Sequence, residues 1–200
     1  MEGIVPTVVL ISDMYGRFGD HGYMHDWTVW WVRRGFSVEK IFVDELVPDC
    51  HDCVSVPGTA GDALHAQLTA AETVARAQQA LLKRLRRQSA QVVVGFSYGG
   101  FLAGSVRAQL EPGVTVICIS ATRLRHILPL PVSEGVYAVF GARDPFKPSG
   151  QQLASSGLVT VEVPDAGHEV YRDPGVCVAS MAASVSAPWL IRAEDQAPLP

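Results

Sequence analysis

The chain has 200 residues, 48% of them hydrophobic, and a formal net charge of −4 with both signs scattered along its length. That is enough apolar material for one domain with a closed core, while the charge pattern offers no nucleic-acid footprint and no apolar run reaches the length of a membrane span. The opening Met1-Glu2-Gly3-Ile4-Val5-Pro6 lacks the basic head of a signal peptide, so the chain is expected in the cytoplasm.

In chain order, Thr7 to Ser12 is a continuous apolar run of the kind that forms a buried parallel strand. His25 to Arg34 carries Trp27, Trp30 and Trp31 at helical spacing, and Gly35 ends that helix. Phe36 to Val43 reads as the next strand. The polar loop that follows holds Cys50-His51-Asp52-Cys53 between Pro48 and Pro57. A zinc site needs a second ligand pair and a thioredoxin-type pair opens a helix. Neither context is present, so Cys50 and Cys53 are expected to be reduced loop cysteines, with no metal and no cofactor.

A long helix is expected from Asp62 to Arg87, with Leu64, Leu68, Ala71, Val74 or Ala75, Leu81 or Leu82, and Leu85 in an apolar stripe. Its basic close, Lys83-Arg84 and Arg86-Arg87, suits the negative end of the helix dipole. Gln91 to Val94 is a strand, Phe101 to Leu110 a helix stopped by Pro112-Gly113, and Val114 to Ser120, Val136 to Phe140 and Leu158 to Val163 are strands. Cys118 and Cys177 fall in core-like segments. A helix from Pro174 to about Trp189 closes a single domain, 1–191, and the tail 192–200 is expected to fray. Alternating strands and helices imply an α/β fold, a mostly parallel sheet of about six strands flanked by helices on both faces.

Between the strand that ends at Val94 and the helix after it lies Gly95-Phe96-Ser97-Tyr98-Gly99. A G-x-S-x-G sequence at a strand-to-helix junction forms a nucleophile elbow, in which the tight turn projects the serine hydroxyl above the sheet edge. Asp144 follows one later strand, in Gly141-Ala142-Arg143-Asp144-Pro145, and His168 follows the last, in Pro164-Asp165-Ala166-Gly167-His168. Each sits at the carboxyl end of a strand, where parallel sheets bind ligands. An imidazole can take the proton of Ser97 and return it to a leaving group near neutral pH, and an aspartate fixes its tautomer. Asp165 is the rival acid, although its place beside His168 suits a turn former. Oxyanion donors are expected from the backbone N–H of Tyr98 and, in the loop after the first strand, of Met14.

The order Ser97, Asp144, His168 resembles that of the α/β-hydrolases. More narrowly, Ile11-Ser12-Asp13-Met14-Tyr15-Gly16, together with Asp144-Pro145 and Gly167-His168, resembles the dienelactone hydrolase family. The likeness runs from about Thr7 to Trp189 on short motifs. It implies an α/β-hydrolase fold and a contact between Asp13 and the resting nucleophile; a solvated loop carboxylate is the plain alternative. Two departures stand out. The family's best-known members use a cysteine where this chain has Ser97, and the chain begins at what corresponds to the third strand of a full hydrolase sheet. The namesake's lactone substrate is therefore not carried over.

Ala121 to Gly135, the segment where a lid would be inserted, is too short for a helical cap, so no lid domain is expected. Its Leu124, Ile127, Leu128 and Leu130 either wall an acyl pocket or pack the loop down, and Arg123, Arg125 and His126 either meet an anionic substrate or are solvated. The expected function is a small serine hydrolase cleaving a carboxylic ester through an acyl-enzyme. The alternatives are a thioesterase or acyltransferase acting on carrier-bound acyl groups, and a non-catalytic binding protein on a hydrolase scaffold with a misaligned triad.

Overall fold

A computed structural model of the protein describes residues 5–50 and 60–185. Its strands are β1 (Thr7–Ile11), β2 (Ser37–Ile41), β3 (Val92–Phe96), β4 (Thr115–Ile119), β5 (Val136–Gly141) and β6 (Val159–Val163). They form one six-stranded sheet in the order β2-β1-β3-β4-β5-β6, every neighbouring pair parallel. The expected α/β architecture is thus present. β3, at the centre, is buried at every residue, as its unbroken Val-Val-Val run demands. The edge strand β2 exposes Glu39 and Lys40, and β6 exposes Glu162; such charges discourage pairing with another chain.

The pleat sends alternate residues into two cores. Val9, Ile11, Val93, Cys118 and Phe140 face one side, against α3 (Ala60–Thr69), α4 (Ala71–Gln88) and α5 (Tyr98–Val106). Val8, Leu10, Val94, Phe96 and Ile119 face the other, against α1 (Gly22–Val32) and α7 (Pro174–Ser184). Between β2 and β3 lies the short α2 (Val43–Leu46), and between β5 and β6 the short α6 (Gly150–Ala154). α6 opens with a capping box, in which Ser149 accepts from the Gln152 amide and Gln152 accepts from the Ser149 amide. Among the described residues no helix is long and apolar enough to cross a membrane.

Several boundaries differ from the sequence reading. The helix expected over 62–87 is two helices, broken at Ala70, whose backbone is extended (φ −61°, ψ 136°). Leu68 and Ala77 are both fully buried. In one straight helix they would stand about two and a half turns apart, on opposite sides. The break brings both into the same core. α1 begins at Gly22 rather than His25 because Tyr23 and Met24 lie on the same buried face as Trp27 and Trp31; the Asp20 carboxylate accepts from the Gly22 amide at 3.1 Å. α5 begins at Tyr98, not Phe101, and gives way to a 3₁₀ turn at Arg107–Gln109. The last helix ends at Ser184, and residues 186–200, with the expected tail, lie outside the described residues.

The sheet starts at β1, steps outward to β2, then returns to place β3 on the other side of β1. Connections leaving the carboxyl ends of β1 and β3 therefore run to opposite faces, which opens a crevice between them. The loop after β1 and the turn after β3 border that crevice.

Candidate active site

Ser97 continues the ladder for one last bond, its amide donating to the Ile119 carbonyl at 2.8 Å, and the chain then reverses into α5. Its backbone sits at φ 50°, ψ −111°. Such a conformation costs a non-glycine residue about 1–3 kcal/mol, which the surrounding packing must offset. The packing is tight enough to do so. A Cβ on Gly95 would lie 2.5 Å from the Gly99 carbonyl oxygen and 2.6 Å from the Gly100 Cα, and one on Gly99 would strike the Ser12 carbonyl oxygen. Only glycine lets the helix start this close to β1 and β3.

Asp144 lies in the turn after β5, its amide donating to the Gly141 carbonyl at 3.0 Å. Its side chain has no solvent exposure. Oδ1 accepts from the Phe146 amide at 2.9 Å, and Oδ2 lies 2.7 Å from His168 Nδ1. His168 opens a 3₁₀ turn, His168–Arg172, after β6, and its Nε2 is 3.1 Å from Ser97 Oγ. Ser97, His168 and Asp144 thus form a continuous chain of hydrogen bonds across three strand ends. Asp165 is elsewhere: its backbone is left-handed (φ 59°), its carboxylate is exposed, and it pairs with Arg143.

Met14 and Ser97 line the same cleft. The Tyr98 amide opens α5, where first-turn N–H groups have no acceptor within the helix. Asp13 is buried and engaged away from Ser97. Its Oδ1 accepts from the Tyr15 amide at 3.0 Å and its Oδ2 from the Tyr171 hydroxyl at 3.2 Å, while its own amide donates to the Tyr23 hydroxyl at 2.9 Å. Burial raises the Asp13 carboxyl above the usual carboxylate value, against the lowering effect of these donors and of Arg172. Asp13 therefore ties the loop after β1 to the His168 turn. Trp27 braces that turn from below, its indole Nε1 donating to the Tyr171 carbonyl at 2.8 Å; the sequence marked Trp27 as core alone.

A cleft of about 440 Å³ lies over Ser97 and His168. Met14, Leu68, Pro145 and Phe146 supply its apolar wall, and Phe146 is 63% exposed, so it forms an open rim. The segment after β4 does not supply that wall. Leu124 and Leu130 are buried in the core beneath it, with Ile127 and Leu128 packed alongside, so these residues hold the loop down. Arg123 and Arg125 face the cleft, whereas His126 is exposed and stands outside its lining. His65 and Phe146 escaped the sequence reading, and Pro145 was read there only as part of the Asp144 turn. Phe146 had a local signal, two residues beyond Asp144, but His65 reaches the cleft from α3 with no motif to mark it.

Cys118 and Cys177 are buried, and burial pushes both thiols up to about 12, which disfavours the nucleophilic thiolate. Cys50 is buried at the end of a short turn, Pro48–Cys50; Cys53 and its neighbours 51–59 lie outside the described residues. Among the described residues no group of three His, Cys, Asp or Glu side chains could hold a metal ion.

No protein-family profile matches the chain, and no curated protein matches it. Solved structures do. One is a Xanthomonas campestris protein provisionally assigned as a hydrolase of the α/β superfamily, 19% identical, with 90% of this chain covering 95% of that one at a TM-score of 0.59. A Klebsiella pneumoniae protein provisionally assigned as a dienelactone hydrolase is 16% identical, with 92% and 86% covered and a TM-score of 0.57. The esterase domain of a Rhodothermus marinus protein is 12% identical, with 90% and 86% covered and a TM-score of 0.52. These likenesses span nearly the whole of each chain, and with the six-stranded parallel sheet they establish that this protein has the α/β-hydrolase fold.

Proposed function

We propose that the protein is a small serine hydrolase that cleaves a carboxylic ester through an acyl-enzyme. The observation that carries this reading is the relay itself, 3.1 Å from Ser97 Oγ to His168 Nε2 and 2.7 Å from His168 Nδ1 to Asp144 Oδ2. A binding protein on the same scaffold would have no need to hold a strained serine within reach of an aspartate-oriented imidazole.

In this mechanism Ser97 Oγ attacks the ester carbonyl while Nε2 of His168 takes its proton. Asp144 accepts from Nδ1–H and stabilises the imidazolium. The carbonyl oxygen, now an oxyanion, is received by the backbone N–H groups of Met14 and Tyr98. Collapse expels the alcohol, which takes the proton from Nε2, and leaves Ser97 acylated. Water, deprotonated by His168, then releases the acid. A thioester on an acyl carrier would be cleaved by the same steps.

The test is labelling with a fluorophosphonate, which reacts with an activated serine, in wild type and Ser97→Ala, together with turnover of p-nitrophenyl esters and of matched thioesters. Labelling and turnover that both vanish in the variant support the hydrolase, and the substrate series ranks ester against thioester. A folded wild type that neither labels nor turns over any of these substrates overturns it.

A further inference from the structure

Arg123 is a charged residue of the cleft that the proposed chemistry leaves unused. It lies on the 3₁₀ turn Thr122–His126, just beyond the carboxyl end of β4, and lines the same cleft as Ser97 and His168. Its Nε is buried and has no hydrogen-bond partner among the described residues. The guanidinium carbon lies over the Phe101 ring, 5.3 Å from the centroid, within cation–π range. Arg125 differs. Its Nη1 donates to the Thr122 carbonyl at 3.1 Å and to the Phe146 carbonyl at 2.9 Å, so it is spent on holding the cleft rim.

An arginine cannot shed its proton to escape burial, and an unpaired buried donor is costly, so a partner is expected. None is supplied from within: no carboxylate lines the cleft among the described residues. Burial lowers the Arg123 pKa, opposed by Tyr98 and aided by Arg125, and burial followed by Arg125 and Arg123 lowers that of the nearby His126. A chain of net charge −4 thus lines the cleft beside Ser97 with two arginines and, among the described residues, no carboxylate.

We infer that Arg123 is an anion receptor and that the preferred substrate is an ester carrying an oxyanion, a carboxylate or phosphate, besides the bond that is cleaved. The inference rests on the hydrolase reading for its catalytic arm, and a binding arm stands apart from it. A planar guanidinium receives such a group in a bidentate fashion, and its fork is pre-organised, so little entropy is lost per bond formed.

In the catalytic arm, kcat/KM is measured for p-nitrophenyl hemiglutarate against p-nitrophenyl butyrate, which puts the anion on the acyl side. A second pair, 4-acetoxybenzoate against phenyl acetate, puts it on the leaving group. Wild type should prefer the charged member of one pair, and Arg123→Gln should cut that preference about 10- to 100-fold, the scale of a hydrogen bond to a charged group. Arg123→Lys should recover part of it, and added salt should erode it in wild type. In the binding arm, calorimetric titration of Ser97→Ala with monomethyl glutarate against dimethyl glutarate should show tighter binding of the anion, lost on adding Arg123→Gln. Equal affinity for the two glutarates, or an anion preference unchanged by Arg123→Gln, overturns the receptor. Activity on neutral esters with no anion preference overturns the receptor and leaves the hydrolase standing. Absent turnover with intact anion binding overturns the hydrolase and leaves the receptor.

Discussion

Asp144→Asn changes almost no volume and removes one charge, which isolates the relay. The two oxygens of Asp144 accept from His168 Nδ1 at 2.7 Å and from the Phe146 amide at 2.9 Å. Asparagine has one acceptor oxygen and one donor nitrogen. With its oxygen on His168 Nδ1–H, its NH₂ meets the Phe146 N–H, two donors facing each other at a side chain with no solvent exposure. An unsatisfied buried donor costs about 1–3 kcal/mol, so the opposite arrangement is favoured. The NH₂ then faces Nδ1, which must become the acceptor. The ring proton moves to Nε2, and Nε2 can no longer take the proton of Ser97. The expected loss is about 10⁴-fold in kcat, about 5 kcal/mol of transition-state stabilisation. The assay is p-nitrophenyl ester hydrolysis and fluorophosphonate labelling, with a melting curve to show that the variant is folded. Asp165→Asn is the control; it breaks only an exposed pair with Arg143 and should stay within about twofold of wild type. A folded Asp144→Asn enzyme within tenfold of wild type would refute the reasoning.

Gly95→Ala should lower stability by at least about 1–3 kcal/mol, because its Cβ meets the backbone of Gly99 and Gly100 rather than a side chain that could swing aside. Denaturant melts measure this, and an unshifted midpoint would contradict the packing account of the elbow. Trp27→Phe keeps most of the buried ring but drops the bond to the Tyr171 carbonyl; about 1 kcal/mol of stability and a fall in kcat larger than any rise in KM are expected, read from melts and steady-state kinetics. Asp13→Asn tests linkage. Burial raises the folded-state pKa of Asp13 above 3.8, so its contribution to stability is whole below that value and is lost as pH rises through the raised one. The melting temperature of Asp13→Asn relative to wild type should therefore climb as pH rises above about 4, and a difference that stays constant with pH would show that Asp13 is not raised.

The fold was legible because its signals are local. Val92-Val93-Val94 reads as a doubly buried strand, and Gly95 and Gly99 around Ser97 give the turn away, since no larger residue fits between β1, β3 and α5. Asp144 and His168 could be picked out because a parallel sheet gathers strand ends at one edge, so order along the chain becomes proximity in space. What was not legible depended on phase or on distant partners. The break at Ala70 carries neither Gly nor Pro; it goes with the burial of both Leu68 and Ala77 in one core. The two equal readings of Leu124 and Leu130 were resolved only by the space beneath α5, which no periodicity encodes. Asp13 was assigned a partner through resemblance, and Tyr15, Tyr23 and Tyr171 hold it instead.

That last difference bears on how the relay keeps its geometry. A displacement of about 1 Å is enough to cost orders of magnitude in rate, yet His168 sits on a short 3₁₀ turn with a side chain one-third exposed. Its stiffness has to come from what grips the turn. Tyr171, three residues on, is held through its carbonyl by Trp27 and through its hydroxyl to Asp13, and its ring packs edge-on against Tyr23 at 4.9 Å and near Phe96 at 6.0 Å. Phe96 is the last residue of β3, immediately before Ser97. The same aromatic cluster therefore touches the element that carries the serine, the turn that carries the histidine and, through Asp13, the loop that carries Met14. Rings with few torsions, locked in a close-packed core, are suited to such a brace because the core resists small displacements. Trp27, read from the sequence as core alone, thus belongs to the cluster that ties three otherwise separate loops into one site.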